Sequence, residues 1–356
     1  MTDYRRTAKK RISVFLAFIL AVFAVLAGVL TGCGREGASM DTNAVEKESY
    51  YFDTVCQIAI YDMKDMSQKN AEKAIDRAFK QCVRYEDLLS KTKKGTDIYK
   101  VNHADGAFVE CDPVTVEAVK KGIEYGDLSG GLFDITVGKA EDLYDFHAEK
   151  HVLPTEEQLS QAVASVNYKE IQIDGNRIAV GNGGEIDLGG IGKGYVADKI
   201  ADYLKSLGVT SAVISLGGNI ACVGEKGDVP FKIGIEKPFS DEKEVLGYVN
   251  AKDLTLVTSG IYERYFRKNG KLYHHILDPK TGKPVDTDTS GVTIVSKSGH
   301  SGDCDAIATI CLMLGSKEGK KFVESQDGYE ALFVKKNGKI VKTSGMKFHK
   351  DEQSVG

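Results

Sequence analysis

No two cysteines of this 356-residue chain stand in a C-x-x-C spacing, and its formal net charge is only -4. The first gap removes the commonest zinc cages and thiol-redox motifs. The second removes the basic footprint of a nucleic-acid binder, so no nucleic-acid partner is expected. No internal repeat runs through the chain, which sets aside solenoids and propellers. Strand and helix signals do not alternate as regular βαβ units, so a doubly wound sheet is not expected. The pattern implies an α+β fold of mixed sheets, hairpins and packed helices. Tryptophan is absent and discriminates nothing. Beyond Cys33 the cysteines are Cys56, Cys82, Cys111, Cys222, Cys304 and Cys311, mostly in apolar settings such as VCQIAI and ATICLML. They read as small buried hydrophobes, with disulfide pairing as the alternative open to an exported chain.

What is present begins with an export signal. Arg5, Arg6, Lys9, Lys10 and Arg11 precede an apolar run from Ile12 to Leu30, the order of charge and then grease that directs secretion. An uncleaved membrane anchor is the alternative, since the run is about long enough to span a bilayer. Leu30-Thr31-Gly32-Cys33 resembles the bacterial lipobox, which favours lipidation of Cys33 and a protein held by acyl chains on the extracytoplasmic face of the cell membrane. Residues 1–32 then form the signal peptide, 33–49 a small, polar tether, and 50–350 the folded domain. Roughly 300 residues suffice for one large domain or two interlocked subdomains with a substantial core.

Within that domain, Cys56, Ile58 and Ile60 alternate as in a strand over Thr54 to Tyr61. Ala71, Ala74, Ile75, Ala78, Phe79, Cys82 and Val83 recur at helical steps behind a Ser67 cap, giving a helix to about Leu89. Asp112-Pro113 opens a second helix. A hairpin is expected over 171–180 and another around Asn337-Gly338. The stripe Val196, Ile200, Tyr203, Leu204, Leu207 gives a third helix closed by Gly208, and Asp303 to Leu314 a fourth stopped by Gly315.

The stretch EIDLGGIGKGYVADKI, residues 185–200, packs four glycines between Gly189 and Gly194 just before the third helix. Glycine-lined backbone entering a helix start is suited to phosphate. It is no Walker loop, because Gly194 and not Ser or Thr follows Lys193, and its glycine spacing misses the dinucleotide fingerprint. The plain alternative is a tight strand-to-helix turn. In GDCDAIATICLMLG, residues 302–315, Asp305 and Thr309 stand four apart, so carboxylate and hydroxyl share a helix face and can converge on one hard cation. Capping by Asp303 or Asp305 is the alternative there. HHILDPKTGKPV, residues 274–285, and TSGIYERYF, residues 258–266, follow strands with turn chemistry.

Seven ordered blocks, FDT, GLFDITVG, DLGGIGKGYVAD, SLGGN, TSGIYERYF, HHILDPKTGKP and DAIATICLMLG, resemble the ApbE flavin transferases from about Phe52 to Gly345. That family moves FMN from FAD onto a Thr or Ser hydroxyl of an acceptor flavoprotein, and lipidated members are common. The resemblance implies an ApbE-like fold, FAD as substrate and Mg²⁺ as cofactor. It implies nucleotide contacts at Leu132, Phe133, Asp134, Asp187, Lys193, Ser259, Gly260 and Ile276. It further implies Mg²⁺ bound by the Gly190 carbonyl, Asp305 and Thr309, and matches His275 to a histidine that matters for turnover; His275 is the candidate base for the acceptor hydroxyl, with a second carboxylate such as Asp303 as the alternative. Phe133, Tyr262 and Tyr265 are available to wall the flavin ring. Where the family often begins Met-Gly-Thr, this chain has Phe52-Asp53-Thr54. Two other activities fit the same motifs: an FAD pyrophosphatase releasing FMN and AMP, and a lipoprotein that only binds flavin.

Overall fold

The computed structural model describes residues 44–146, 148–240 and 244–350. The signal segment, Cys33 and most of the expected tether lie outside them. The order of elements begins with β1 (Val45–Tyr51), β2 (Thr54–Met63), α1 (Gln68–Leu89), α2 (Asp97–Asn102), β3 (Val109–Glu110), α3 (Pro113–Leu128), α4 (Gly138–Asp142) and α5 (Glu156–Val163). A single 3₁₀ turn, Tyr168–Glu170, leads into β4 (Ile171–Asp174), β5 (Arg177–Val180), α6 (Gly192–Ser206), β6 (Val209–Leu216) and β7 (Asn219–Val223). Then come β8 (Phe231–Glu236), β9 (Val245–Ala251), β10 (Leu254–Gly260), β11 (Tyr265–Lys268), β12 (Lys271–His274) and β13 (Thr289–Lys297). The chain closes with α7 (Ser301–Glu324), β14 (Glu330–Lys335), β15 (Ile340–Lys342) and β16 (His349–Lys350).

Eight strands form the principal sheet in the order β1-β2-β6-β7-β10-β13-β14-β15, and all its pairings are antiparallel. This is the α+β architecture expected. Side chains alternate between two cores with the period of a strand. Val257, Val292, Ile294, Ala331 and Phe333 belong to the large core, which also takes in the buried faces of α1, α6 and α7. Their neighbours Leu256, Val295, Leu332 and Val334 enter a second core with Phe231, Ile233, Ile235 and Val249 of the β16-β9-β8 sheet. The central strands are therefore covered on both faces, which fixes their register. A satellite cluster of Ala140, Tyr144, Leu159, Ala162, Phe266 and Leu277 ties α4 and α5 to β11.

The caps read from the sequence are formed. Ser67 accepts from the Asn70 amide and Asp112 from the Val114 amide, each worth about 1 kcal/mol. Two elements extend past their expected limits. Strand β1 starts at Val45, inside the stretch read as tether, and pairs Val45 with Ile60. Its alternating half-buried and exposed residues VEKESYY are those of an edge strand, whose polar composition imitates a linker. Helix α7 runs on past Gly315, which is a kink with φ 74° and ψ 174°. Asp288 accepts from the Ser316 amide at 2.9 Å and the Ser316 hydroxyl at 2.7 Å, so the second half of α7 starts from its own cap. The six described cysteines are free and buried. Among the described residues no helix is long and apolar enough to cross a membrane.

Candidate active site

The glycine-rich stretch is pinned before it becomes a helix. Asn102 brackets Ile186, giving its amide to the Ile186 carbonyl at 2.9 Å and accepting the Ile186 N–H at 2.8 Å. The Asp187 N–H donates to the Ile135 carbonyl at 2.7 Å. Helix α6 then starts at Gly192 behind Ile191, which has no side chain able to cap it. The missing cap comes from another helix: Asp305 Oδ2 of α7 accepts the Gly194 N–H at 2.9 Å. Asp198 of α6 returns the favour, accepting the Ser301 N–H at 2.9 Å and the Gly302 N–H at 3.0 Å. Each helix thus carries the acid that satisfies the other's orphan amides. The approach needs glycine, because a Cβ on Gly194 would lie 2.1 Å from the Ser301 carbonyl oxygen.

One turn beyond Asp305, the Thr309 hydroxyl donates to the Asp305 carbonyl at 3.3 Å. A Cβ on Gly190 would stand 3.7 Å from Thr309 Oγ1 and 3.0 Å from the Phe133 ring. Gly190, Phe133, Asp305 and Thr309 therefore meet at the foot of α6. Burial raises the Asp305 carboxyl, against the opposing pull of Lys193, the Gly194 N–H and the Asn219 amide. Asn219, 1% exposed, leaves its side-chain oxygen without a hydrogen-bond partner among the described residues.

Beside this junction a cavity of about 570 Å³ opens, and its lining includes Asp187, Gly189, Gly192, Lys193, Lys91 and Arg264. Phe52 and Phe146 add aromatic surface, and Asp53, Glu86, Glu141, Asp142 and Asp145 add acidic side chains. Lys91 Nζ stands 3.0 Å from Asp187, 2.7 Å from Asp142, 3.8 Å from Glu141 and 3.9 Å from Glu185. Burial opposes both charges, yet Lys91, Glu141 and the Gly189 N–H together hold the Asp187 carboxyl well below the usual carboxylate range. Glu141 moves the other way: burial and the neighbouring Asp187 push it up, against the pull of Lys91 and Arg264.

His275 faces the same cations. Its Nδ1 lies 3.2 Å from the Arg264 carbonyl oxygen. A carbonyl only accepts, so Nδ1 carries the proton and Nε2 keeps the lone pair. Burial and then Arg264 and Lys193 push the ring down to about 3, so it is neutral. Phe146 meets it edge-on at 6.5 Å. Of the other residues expected here, Ile276 is buried beside it, Leu132 packs on the large core and Ser259 lies buried in β10. Gly260 donates its N–H to Glu263 Oε1 at 2.8 Å, and a Cβ there would collide with Tyr262 at 2.2 Å. Asp134 differs from its expected use. Its carboxylate accepts from the Thr136 amide and hydroxyl within its own turn and from the Tyr168 amide of a distant segment, so both carboxylate oxygens are engaged within the fold. Phe133 is buried edge-on to Tyr125 at 6.5 Å, while Tyr262 and Tyr265 both pack on Phe239.

Lys91, Arg264, Phe146, Glu141 and Asn219 were not singled out by the sequence reading. Lys91 sits in the charge-rich run KTKKG, which resembles a solvated loop, and Asn219 closes the SLGGN block without an assigned role. The donor set suits a hard cation: a buried carboxylate, a hydroxyl one helical turn on, glycine backbone within reach, and an orphaned amide oxygen nearby.

Fold and cavity together define an α+β protein whose glycine-lined site carries both cations and carboxylates. A sequence profile of the ApbE family matches residues 52–333, and the chain belongs to that family. It is 33% identical over 281 residues to the FAD:protein FMN transferase of Klebsiella pneumoniae, covering 77% of this chain and 85% of that protein. With the FAD:protein FMN transferase of Treponema pallidum it shares 28% identity over 341 residues, 90% of this chain and 93% of the relative. The crystal structure of the ApbE protein of Thermotoga maritima superposes with a TM-score of 0.77 at 30% identity, covering 85% of this chain and 97% of that one. The apo flavinyl transferase ApbE of Pseudomonas stutzeri gives a TM-score of 0.75 at 26% identity, over 85% and 95% of the two chains.

Proposed function

We propose that the protein transfers FMN from FAD to a Thr or Ser hydroxyl of an acceptor flavoprotein, releasing AMP, with Mg²⁺ held by Asp305, Thr309 and the Gly190 carbonyl. The observation that carries this reading is the meeting of those three residues at the foot of α6 beside the cavity that holds Asp187 and Lys193. Relatives named FAD:protein FMN transferase support the transfer of FMN from FAD to a protein.

When bound, Mg²⁺ supplies a hard positive charge that offsets charge developing on phosphate oxygens. The chain's own residues do the rest. Lys193 and Arg264, both lining the cavity, neutralise non-bridging oxygens of the diphosphate. Glycine backbone at 189–192 allows that anion to approach the start of α6 closely. The acceptor oxygen attacks the FMN-side phosphorus as the bond to the AMP oxygen breaks, and AMP leaves with that oxygen. The hydroxyl proton passes to His275 Nε2, the ring nitrogen that the Arg264 carbonyl leaves free. Burial, and then Arg264 and Lys193, depress His275; an anionic diphosphate between those cations offsets their share of the shift, while the share due to burial stays. Phe52 and Phe146 supply aromatic surface for the flavin. Lipidation of Cys33 would tether the enzyme outside the cytoplasmic membrane, within reach of membrane redox complexes or extracellular electron-transfer proteins.

The test incubates the mature protein with FAD, Mg²⁺ and a redox acceptor domain. A covalently fluorescent acceptor band with stoichiometric AMP is expected, and it disappears when the acceptor hydroxyl is replaced by valine. AMP without labelled acceptor identifies a pyrophosphatase. FAD recovered intact in the presence of Mg²⁺ identifies a binding protein.

A further inference from the structure

We propose that Asn219 is a further member of the cation site, orienting Asp305 through its amide N–H and presenting its side-chain oxygen to the divalent ion or a water of its hydration shell. The inference rests on the proposed function and extends it to a residue that the family resemblance left without a role.

Three observations carry it. The backbone of Asn219 is held in place: the residue opens β7 directly after the Gly217-Gly218 turn, with φ 56° and 90°, and is paired to Leu216 of β6 and Val257 of β10. It is buried at 1% exposure, yet its Oδ1 has no hydrogen-bond partner among the described residues. Leaving such an oxygen unpaired costs about 1–3 kcal/mol, so an orphan at this depth calls for a partner that the protein itself does not provide. Finally, the Thr255 hydroxyl joins the carbonyl of Ile220, the next residue, to Ser301 at the start of α7, and the Asn219 amide is among the groups that pull the Asp305 carboxyl down. The amide nitrogen and oxygen share one carbon, so the unpartnered oxygen lies in the same neighbourhood as Asp305.

The side-chain type also matters. A second carboxylate here would repel Asp305 before any cation arrived, and a hydroxyl could not both donate to Asp305 and reach past it. A neutral amide donates on one side and accepts on the other. Mg²⁺ keeps several waters and takes few protein ligands, so an oxygen at this position has a use whether contact is direct or through one water.

The experiment measures Mn²⁺ affinity by electron paramagnetic resonance, and the rise in Tm on adding Mn²⁺, for the wild-type protein and for Asn219→Ala, Asn219→Asp and Asp305→Asn. Asn219→Ala is expected to weaken Mn²⁺ binding about 10-fold or more, as loss of a supporting residue does at other metal sites. Asn219→Asp is expected to lower the metal-free Tm through repulsion with Asp305 and to show a larger Mn²⁺-induced rise than wild type. Folded Asn219→Ala that binds Mn²⁺ within two-fold of wild type overturns the proposal and makes the orphan oxygen the seat of a structural water. Should Asn219→Ala not fold, an Asn219→Asp protein with wild-type affinity and Tm rise overturns it equally. Loss of binding in Asp305→Asn alone sinks only the role of Asn219. Binding unchanged in Asp305→Asn, or absent in wild type, sinks the cation site itself and this inference with it.

Discussion

Lys91 shows how much one side chain can decide. Its ammonium faces Asp187, Asp142, Glu141 and Glu185, and its side chain is 13% exposed. Burial opposes the charge, but Asp187, Glu141 and Asp142 outweigh it and raise the ammonium above its ordinary range. Removing that cation in Lys91→Met leaves Asp187 and Glu185 without their ammonium and Glu141 with Arg264 at 3.6 Å, a loss of about 3 kcal/mol near neutral pH. The sign of the pH dependence follows. Glu141 and Glu185 already lie above their unfolded values, and losing Lys91 raises them further. A carboxyl raised on folding is destabilising when ionised, and the penalty is relieved as pH falls and it takes up a proton. The gap in urea midpoint between wild type and Lys91→Met is therefore expected to be wide at pH 8 and narrower at pH 5. An equal gap at both would mean that Lys91 acts through packing alone.

The mutual capping of α6 and α7 makes a sharper claim about paired elements. An alanine at 194 has no room, since its Cβ would stand 2.1 Å from the Ser301 carbonyl oxygen and 2.9 Å from Asp305 Cβ. The helices must separate and Asp305 loses its N–H partner, so Gly194→Ala is expected to cost about 3 kcal/mol or more in urea unfolding. Gly192, two residues earlier in the same helix, has nothing closer than Leu188 Cβ at 3.7 Å. Gly192→Ala is expected to be neutral or slightly stabilising, because alanine is the better helix former by about 1 kcal/mol. Equal losses in the two variants would deny that helix contact sets the position of Asp305. Sequence periodicity anticipated both helices and the shared face of Asp305 and Thr309, because those are properties of one element. It read the acid at 305 as either a cap or a ligand; the residue caps, but it caps α6 and not its own helix. Phosphate loop and tight packing were likewise set against each other at the glycine turn, and the turn packs tightly while opening onto the cavity. Lys91, Arg264 and Phe146 escaped notice because only the folded sheet brings their segments together. Asp134 looked available because one of its donors, the Tyr168 amide, comes from a distant segment that only the fold brings to it, which no spacing rule reveals.

Across the whole molecule, the cavity has no single parent element. The β1–β2 turn gives Phe52 and Asp53, the end of α1 and the loop after it give Leu89 and Lys91, α4 gives Glu141, the glycine turn gives Asp187 and Lys193, and the segment before β11 gives Arg264. Ligands that engage such a site hold several segments of one core together, so they bind the folded chain and not the unfolded one. Linkage then fixes the size of the effect: at a hundredfold excess over Kd a ligand adds about 2.7 kcal/mol. FAD in EDTA, where the proposed chemistry is silent, is expected to raise Tm by a few degrees. Mg²⁺ without FAD is expected to raise it separately. In Asp305→Asn the FAD response should persist, because Asp187, Lys193 and Arg264 are untouched, whereas the Mg²⁺ response should vanish with the carboxylate. Calorimetry on both proteins separates the outcomes. A Mg²⁺ shift that survives in Asp305→Asn would move the cation away from the α6–α7 junction, and an FAD shift lost with it would mean that the nucleotide and the acid share one contact instead of neighbouring ones.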